Sequence, residues 1–259
     1  MKIAAAGDQI LGQRERQEDC FTIVEDGNRL RAGSKLLVIC DGMGGHAGGA
    51  IASKVAIEKF TEIFLNTNGG VKRRLKQALL AANDAIAAKI SKEPSLSSMG
   101  TTLVAAYTSP TEIVYISVGD SLIYLFSNGV MTRLNEDHSM APVLDDLAEA
   151  GRITPEEARA DPQRNALRSA LTGDEIDLID LQEHAHDWAS GDILFLTSDG
   201  VDIIGEAGLA VIAKDNQEKP VEKIVYDVLD GVKEKQNPHQ DNTTVIAVTA
   251  ARKKKFFFF

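Results

Sequence analysis

Acidic residues stand at the ends of five short apolar stretches of this chain, and this pattern constrains the fold more than any other feature. The acids and their stretches are Glu18 and Asp19 before 20–24, Asp41 after 36–40, Asp120 after 113–118, Asp199 after 193–196, and Asp241 before 243–248. Stretches of this length and composition are typical of buried strands. Carboxylates at the ends of central strands can converge on one point.

Converging carboxylates repel one another unless cations neutralise them. A ligand set made only of oxygen suits Mg²⁺ or Mn²⁺ rather than zinc, which prefers nitrogen and sulfur. Asp-Gly is also a common turn dipeptide, and both Asp41 and Asp199 precede a glycine. From spacing alone, a metal cluster and a set of ordinary turns are equally open interpretations.

Two long segments are predicted to be amphipathic helices. The first covers 52–64 and the second 71–90, and in each the apolar residues fall on one helical face. A late helix is predicted over 221–232. Shorter helical pieces are predicted over 141–170, where Thr154 begins a capping-box sequence.

Residues 101–134 are predicted to form a β-meander, because β-branched and aromatic runs alternate there with turn signals. Asn128-Gly129 favours a two-residue hairpin turn. Helices, then strands, then helix and strand again favour an α+β layered fold over strict βαβ alternation. The chain has 259 residues, of which 44% are hydrophobic, so it can build one large domain.

The formal net charge of −10 gives no broad attraction for a phosphate backbone, so no nucleic-acid partner is expected. Cys20 and Cys40 cannot form a disulfide framework and are expected to be reduced core residues. No apolar run approaches the about 18 residues of a membrane span, and the apolar stretch at the start is too short for a signal peptide. A cytoplasmic location is therefore expected.

Six motifs, read in order, resemble those of the metal-dependent Ser/Thr protein phosphatases of type 2C. They are Arg14-Glu15-Arg16-Gln17-Glu18-Asp19, Asp41-Gly42-Met43-Gly44-Gly45-His46-Ala47-Gly48-Gly49, Met99-Gly100-Thr101-Thr102, Val118-Gly119-Asp120-Ser121, Thr197-Ser198-Asp199-Gly200 and Asp241-Asn242-Thr243-Thr244. The glycine-rich second motif resembles the bacterial branch of that family. The similarity covers nearly the whole chain.

The resemblance implies a four-layer α-β-β-α sandwich, in which two antiparallel sheets are flanked by helix pairs. It implies a phosphatase domain over 1–250 with a flap at about 142–168. Within the flap, Asp161 replaces the histidine of a His-Pro pair that bacterial members often carry. The basic, phenylalanine-rich tail at 251–259 is expected to lie outside the fold, and membrane contact through it is not expected.

The resemblance also implies two core metal ions, Mn²⁺ or Mg²⁺. Asp41 would bridge the two ions, and the carbonyl group of Gly42 would be a further ligand. Asp199 and Asp241 would complete the ligands of one ion.

The second core ion would be held by Glu18 and Asp19, largely through water. Asp120, together with Asp199, would match the third, weaker metal site of bacterial members. Arg14 would bind the phosphate of the substrate.

The implied activity is the hydrolysis of phosphoserine and phosphothreonine on proteins by a water that two metal ions activate, with Asp41 and Arg14 as catalytic residues. Phosphorylated proteins and a cognate Ser/Thr kinase, whose signalling the enzyme opposes, are the expected partners of a monomer. Met43 stands where eukaryotic members carry a histidine as general acid. His46 is a weaker candidate for that role, because the start of a helix disfavours its cationic form.

Two other functions compete with this one. The segment 42–47 formally matches a dinucleotide-binding pattern, but the acid expected about 20 residues later is missing. A non-catalytic binding module would be expected to lack a metal-site carboxylate, and none is missing. His184 and His186 could form a metal pair, but no third ligand has a suitable spacing, so a solvated loop is favoured.

Overall fold

Two antiparallel sheets form the centre of the computed structural model, which describes residues 2–25, 30–45, 47–182 and 184–251. The strands are β1 (Lys2–Ile10), β2 (Asp19–Val24), β3 (Lys35–Met43), β4 (Gly100–Thr101), β5 (Leu103–Thr108), β6 (Glu112–Val118), β7 (Leu122–Ser127), β8 (Val130–Arg133), β9 (Asp180–Leu181), β10 (His186–Asp187), β11 (Ile193–Thr197) and β12 (Thr243–Ala251). The helices are α1 (Gly48–Asn66), α2 (Val71–Lys92), α3 (Ala141–Glu149), α4 (Pro155–Ala160), α5 (Gly205–Asn216) and α6 (Val221–Glu234).

The two sheets differ in size and in how the chain visits them. One sheet has five strands in the order β1-β12-β11-β7-β8. The other has seven strands, five of them in the order β10-β6-β5-β3-β2, while β4 pairs with β3 and β9 with β6. The first strand of the chain therefore lies beside the last one, in register from Lys2 opposite Ala251 to Ile10 opposite Thr243.

Apolar side chains fill three layers, one between the sheets and one on the outer face of each sheet. In β3, Leu36 and Val38 point to the helix side of the seven-stranded sheet, while Leu37 and Ile39 point to the other sheet. The same alternation sends Leu194 of β11 to the layer between the sheets. Strands buried on both faces read as continuous apolar runs. Each fully buried leucine or isoleucine stabilises the fold by about 1.5–3 kcal/mol.

Helix pairs cover both outer faces. The helices α1 and α2 pack on the seven-stranded sheet, and α5 and α6 pack on the five-stranded sheet. The predicted four-layer α-β-β-α sandwich is therefore confirmed. The helices predicted over 52–64, 71–90 and 221–232 are present as α1, α2 and α6.

The β-meander predicted over 101–134 is wrong in one respect. The strands β5 and β6 belong to the seven-stranded sheet, whereas β7 and β8 belong to the five-stranded sheet. The chain passes from one sheet to the other through the connection 119–121. Alternating apolar residues do not reveal the change, because the strands on both sides of it are mostly buried.

The segment predicted to be a flap contains α3 and α4. The capping box that opens α4 is confirmed, since Thr154 Oγ1 accepts the N–H of Glu157 at 3.1 Å and Glu157 Oε2 accepts the N–H of Thr154 at 2.7 Å. Arg164 donates two hydrogen bonds of 2.9 Å to the carboxylate of Asp145 in α3. Asp161 acts locally, because its Oδ1 accepts the N–H of Gln163 at 2.8 Å.

Within the described residues, no helix combines the length and the apolar character needed to cross a membrane. The strand β12 continues to Ala251, which is the first residue of the predicted tail. The remaining tail residues, 252–259, and His46 lie outside the described residues.

Candidate functional site

One end of the sandwich gathers the acidic residues, and both sheets contribute to it. Asp19 begins β2, and Asp41 lies opposite it in β3 of the same sheet. Asp199 begins a short 3-10 helix that follows β11, and Asp241 lies in the loop before β12, so both flank strands of the five-stranded sheet. Asp120 lies in the connection between the sheets.

These residues surround a cavity of about 660 Å³. The sequence-predicted site residues that line it are Arg14, Glu18, Asp41, Gly42, Asp120, Asp199 and Asp241. Asp19 does not line the cavity, because it is buried behind the others with 5% of its surface exposed. Strands from two sheets thus bring acids 223 positions apart, Glu18 and Asp241, to one cavity.

The buried carboxylate of Asp19 is held by hydroxyl groups from the other sheet. Its Oδ2 accepts hydrogen bonds of 2.7 Å from Ser198 Oγ and from Thr244 Oγ1. Its Oδ1 is buried and has no hydrogen-bond partner among the described residues. Burial raises the pKa of Asp19, and the hydrogen bonds from Thr244 and Ser198 oppose that rise.

Two threonines fix the backbone of Asp41. The N–H of Asp41 donates to Thr102 Oγ1 at 3.1 Å, and the carbonyl of Asp41 accepts from Thr101 Oγ1 at 2.8 Å and from the N–H of Thr102 at 2.9 Å. Thr102 Oγ1 also lies 2.8 Å from Ser121 Oγ, next to Asp120. The direction in which the Asp41 side chain leaves the strand is therefore set by its neighbours.

Only glycine fits at position 42. A Cβ there would stand 2.1 Å from the carbonyl oxygen of Gly49 and 2.6 Å from that of Glu18. The carbonyl oxygen of Gly42 and Oε1 of Glu18 each lie 2.8 Å from the place of a Cβ on Gly49. Both oxygen atoms thus lie close to Gly49 in the first turn of α1. Glu18 Oε1 is buried and has no hydrogen-bond partner in the described part of the chain.

The acids strongly perturb one another. Burial raises the pKa of Asp41 well above its usual range, and repulsion from Asp19 and then Asp199 adds to the rise. Burial, with repulsion from Asp120 and Asp241, raises the pKa of Asp199 to about 7. Burial raises the pKa of Asp120 to about 6. The site therefore disfavours its own negative charge and attracts cations.

Arg14 brings a positive charge to the opening of the cavity. Its Nη2 donates to Asp241 Oδ2 at 2.5 Å, and 56% of the Arg14 side chain is exposed. Asn242 fastens the loop that carries Arg14, because its Nδ2 donates to the carbonyls of Leu11 and Arg16 at 2.9 and 3.0 Å. Its Oδ1 accepts the N–H of Glu18 at 2.8 Å.

A family model described as protein phosphatase 2C matches residues 7–242. The chain belongs to the protein phosphatase 2C family. This membership confirms the resemblance of the six motifs and decides against the dinucleotide-binding interpretation of 42–47.

Two relatives and one solved structure illustrate the membership. The serine/threonine protein phosphatase PstP of Mycobacterium tuberculosis is 39% identical over 193 residues, which are 74% of this chain and 36% of PstP. The serine/threonine phosphatase Stp of Listeria innocua is 30% identical over 210 residues, which are 79% of this chain and 80% of Stp. The chain therefore spans only about a third of the length of PstP but most of Stp.

The crystal structure of the catalytic domain of PstP in complex with two manganese ions has the same fold. Its TM-score with this chain is 0.76 at 29% identity, and the superposition covers 96% of this chain and 99% of that domain. The layers and the sheet order described above are therefore those of the protein phosphatase 2C fold.

The donor atoms at the acidic end of the fold suit hard divalent cations. All of them are oxygen, as Mn²⁺ and Mg²⁺ prefer, and the buried atoms Asp19 Oδ1 and Glu18 Oε1 have no protein partner among the described residues. In the described part of the chain, no group of three or more His, Cys, Asp or Glu side chains is arranged so that it could hold a metal ion as it stands. One of the proposed ligands, Asp241, forms an ion pair with Arg14. The residues fit such ions by chemistry, while their side-chain positions differ from a closed coordination shell.

The wall of the cavity that faces the carboxylates was not predicted from the sequence. It consists of the end of the flap segment and the loop after it, namely Asn165, Ala166, Leu167, Arg168, Ser169, Ala170, Thr172, Glu175 and Asp177. Its residues lack a motif pattern of their own, so only the folded chain places them at the cavity.

The hydrogen-bonding residues around the acids were also missed. Thr102, Ser198, Asn242 and Thr244 belong to the six motifs, but the sequence alone gave them no role. Their signal was available, because hydroxyl and amide side chains next to buried strands need partners.

The two histidines of the candidate metal pair lie away from the cavity. His186 belongs to the edge strand β10, and its ring stacks on Tyr115 with the ring centroids 6.4 Å apart. The prediction of a loop is therefore wrong for His186, because its backbone pairs with β6 at the edge of the seven-stranded sheet. His184 is exposed.

Proposed function

We propose that this chain hydrolyses phosphoserine and phosphothreonine on proteins, with Mn²⁺ or Mg²⁺ as cofactor. Its relatives PstP and Stp carry the name of serine/threonine phosphatases, and the catalytic domain of PstP was crystallised with two manganese ions. One observation carries the proposal for this chain. Asp41 from one sheet meets Asp199 and Asp241 from the other in a single cavity with Arg14 at its opening.

The acidic residues would hold two core ions and a third one. Asp41 is proposed to bridge the core pair, with the Gly42 carbonyl beside it, and Asp199 and Asp241 to complete one ion. Bound there, two divalent cations would supply the positive charge that lowers the pKa of a water and offsets charge on the phosphate. The raised pKa values of Asp41 and Asp199 support this role, because each carboxylate gains most from a nearby cation.

The remaining acids would act around this pair. Glu18 and Asp19 are proposed for the second core ion, and the unsatisfied atoms Glu18 Oε1 and Asp19 Oδ1 support the assignment. Asp120 is proposed, with Asp199, for the third ion.

Arg14 is proposed to bind the phosphate group. Its planar guanidinium can donate two parallel hydrogen bonds to the non-bridging oxygens, which a lysine cannot reproduce. The exposed Arg14 side chain reaches the cavity and contacts Asp241. A cation bound to Asp241 would compete with this ion pair and free the guanidinium of Arg14 for a phosphate.

The segment 142–168 is proposed to act as a flap on the protein substrate. Its last residues form the cavity wall opposite the acids, so a bound phosphopeptide would contact them. Met43 lines the same cavity and has no proton to give to the leaving serine or threonine oxygen. We therefore assign that proton to water rather than to the side chain at position 43.

Removing phosphate from serine and threonine reverses the reaction of a Ser/Thr kinase. A kinase acting on the same proteins is therefore the proposed partner, with the chain working as a monomer. The free thiols of Cys20 and Cys40 suit a reducing compartment and support the cytoplasm as the place of action.

The proposal is tested by following hydrolysis of an aryl phosphate and of a phosphothreonine peptide with Mn²⁺, with Mg²⁺ and with EDTA. We expect activity that needs the metal and that falls by at least about 1,000-fold in Asp199→Asn, because one carboxylate ligand is lost. Asp215→Asn changes the same functional group on the exposed surface of α5 and is the matched control. Full activity of Asp199→Asn, or of the wild type in EDTA, would overturn the proposal.

A further inference from the structure

A buried histidine connects two parts of the cavity that are far apart in sequence. His138 follows β8 and is 2% exposed. Its backbone N–H donates to the carbonyl of Gly119 at 3.2 Å, and its ring atom Nδ1 accepts the N–H of Gly119 at 3.2 Å. One residue therefore satisfies both backbone polar groups of Gly119, which directly precedes Asp120.

The other side of His138 holds the cavity wall. Its carbonyl accepts the N–H of Arg168 at 2.7 Å. The next residue, Ser139, forms an isolated bridge with Leu167, and the N–H of Met140 donates to the carbonyl of Ala166 at 2.9 Å. The wall residues 166–168 are thus fastened to the same short segment that holds the Asp120 turn.

Gly119 has little freedom to compensate for a change at His138. Its φ is +103°, which side chains rarely adopt, and a Cβ there would stand 2.7 Å from the side chain of Thr102. Thr102 in turn accepts the N–H of Asp41. A shift of Gly119 would therefore move the neighbouring Asp120 and, through Thr102, disturb the backbone of Asp41.

The contact also specifies the form of the imidazole. Because Nδ1 accepts a hydrogen bond, the ring proton must be on Nε2 and the ring must be neutral. Neither leucine nor glutamine can place an acceptor at this atom, since glutamine carries its oxygen one bond further from the backbone. Asparagine can, because its Oδ1 is the same number of bonds from Cα as Nδ1 of histidine.

We propose that His138 is a positioning residue for Asp120 and for the cavity wall 166–168, and that it fixes the position of one relative to the other. The part of this proposal that concerns the cation rests on the proposed function. Residues that orient a metal ligand typically change metal affinity by about 10–100-fold when they are replaced. His138 acts through the backbone of Gly119 and touches neither the substrate nor the reacting atoms.

The first test needs no metal. Amide hydrogen exchange of the EDTA-treated protein is measured over 118–121 and 166–168 in the wild type, His138→Gln, His138→Asn and His186→Leu. We expect faster exchange in both segments for His138→Gln, near wild-type exchange for His138→Asn, and no change in these segments for His186→Leu. Unchanged exchange in a folded His138→Gln, or acceleration in only one of the two segments, would overturn the proposal that His138 positions both segments together.

The second test counts Mn²⁺ by calorimetry without substrate and then measures kcat and KM. We expect His138→Gln to bind the weakest Mn²⁺ equivalent about 10–100-fold less tightly and His138→Asn to restore it. In His138→Gln, KM for a phosphopeptide should rise more than KM for an aryl phosphate, because a peptide offers more groups to the wall than an aryl ring does. If the wild type binds no Mn²⁺, the proposed function fails while the exchange experiment still decides the role of His138. If all equivalents bind His138→Gln as in the wild type, the role toward Asp120 is refuted.

Discussion

Asp19 and Asp41 lie directly opposite each other on the neighbouring antiparallel strands β2 and β3. Like charges in such a pair destabilise a sheet. The hydroxyls of Ser198 and Thr244 oppose the rise of the Asp19 pKa, whereas burial, followed by repulsion from Asp19, raises the pKa of Asp41 well above its usual range. The sheet thus carries a local repulsion that a bound cation would relieve.

The burial of Asp199, together with its repulsion from Asp120 and Asp241, predicts how the stability of the metal-free protein depends on pH. The pKa of Asp199 is raised to about 7, so the folded protein keeps a proton there that the unfolded chain has already lost. The free energy of unfolding therefore falls as pH rises from about 4 to about 7, and the contribution is constant outside that window. Since asparagine never ionises, Asp199→Asn should gain stability relative to the wild type across the same range. Urea unfolding in EDTA at several pH values measures this difference, and a difference independent of pH would contradict it.

Arg14 should act mainly on substrate binding. Replacing it with alanine removes hydrogen bonds between a guanidinium and a phosphate, each of about 1.5–3 kcal/mol, so kcat/KM should fall by at least about tenfold. Arg14→Lys should restore only part of this loss, because a point charge cannot make the paired contacts. Steady-state kinetics on a phosphopeptide provide the measurement, with Arg73→Ala on exposed α2 as the control. Equal activity of the lysine variant and the wild type would show that Arg14 supplies charge alone.

Gly42 should tolerate no side chain. Its Cβ would overlap the carbonyl oxygen of Gly49 at 2.1 Å, so Gly42→Ala is expected to destabilise the fold by about 3 kcal/mol or more. Gly45 lies three residues further along the same glycine-rich motif with nothing within 4 Å of its Cβ position, and Gly45→Ala should change stability by less than about 0.5 kcal/mol. Thermal and urea unfolding of both variants compare the two positions. Similar losses of stability in both variants would show that the close contacts around Gly42 do not exclude a side chain.

The hydroxyl groups of Ser198 and Thr244, which donate hydrogen bonds to Asp19, should stabilise the contact between the two sheets. Thr244→Val removes one hydrogen bond to the carboxylate of Asp19. Ser198→Ala removes the other hydrogen bond to that carboxylate and also the acceptor for the N–H of Thr244. We expect losses of about 1–3 kcal/mol, larger for Ser198→Ala. The double variant should lose more than the sum, because either hydroxyl alone still satisfies the shared oxygen, whereas the double variant leaves it without a donor. Urea unfolding measures all three against exposed Ser95→Ala. Strictly additive losses would argue against a shared role.

The acids could be identified from the sequence because each stands at the end of a strand, where a local pattern and a position in the fold coincide. Asp41 and Asp199 are examples, since the apolar runs before them predict both the strand and the position near its end where the acid stands. The strand β1 was missed because its alanines and glycine favour no particular structure. The change of sheet after β6 was missed because hydrogen-bonding partners between distant strands leave no local signature.

The interactions of His138 show a second limit of sequence reasoning. A histidine among polar residues, as in Asp137-His138-Ser139, has no pattern that predicts a contact with Gly119 or with Arg168. Those contacts depend on how the flap segment returns to the core, which is a property of the whole fold. The same holds for Asn242, whose side chain makes hydrogen bonds to three residues more than 220 positions away.

The connection 119–121 divides the chain into two parts that exchange strands. The N-terminal part supplies β1 to the five-stranded sheet, and the C-terminal part supplies β9 and β10 to the seven-stranded sheet. A cut at this connection would therefore produce two fragments, neither of which contains a complete sheet or a complete set of acids. Turnover by such a pair would appear only after the fragments had reassociated, so the catalytic activity would report the association of the two halves.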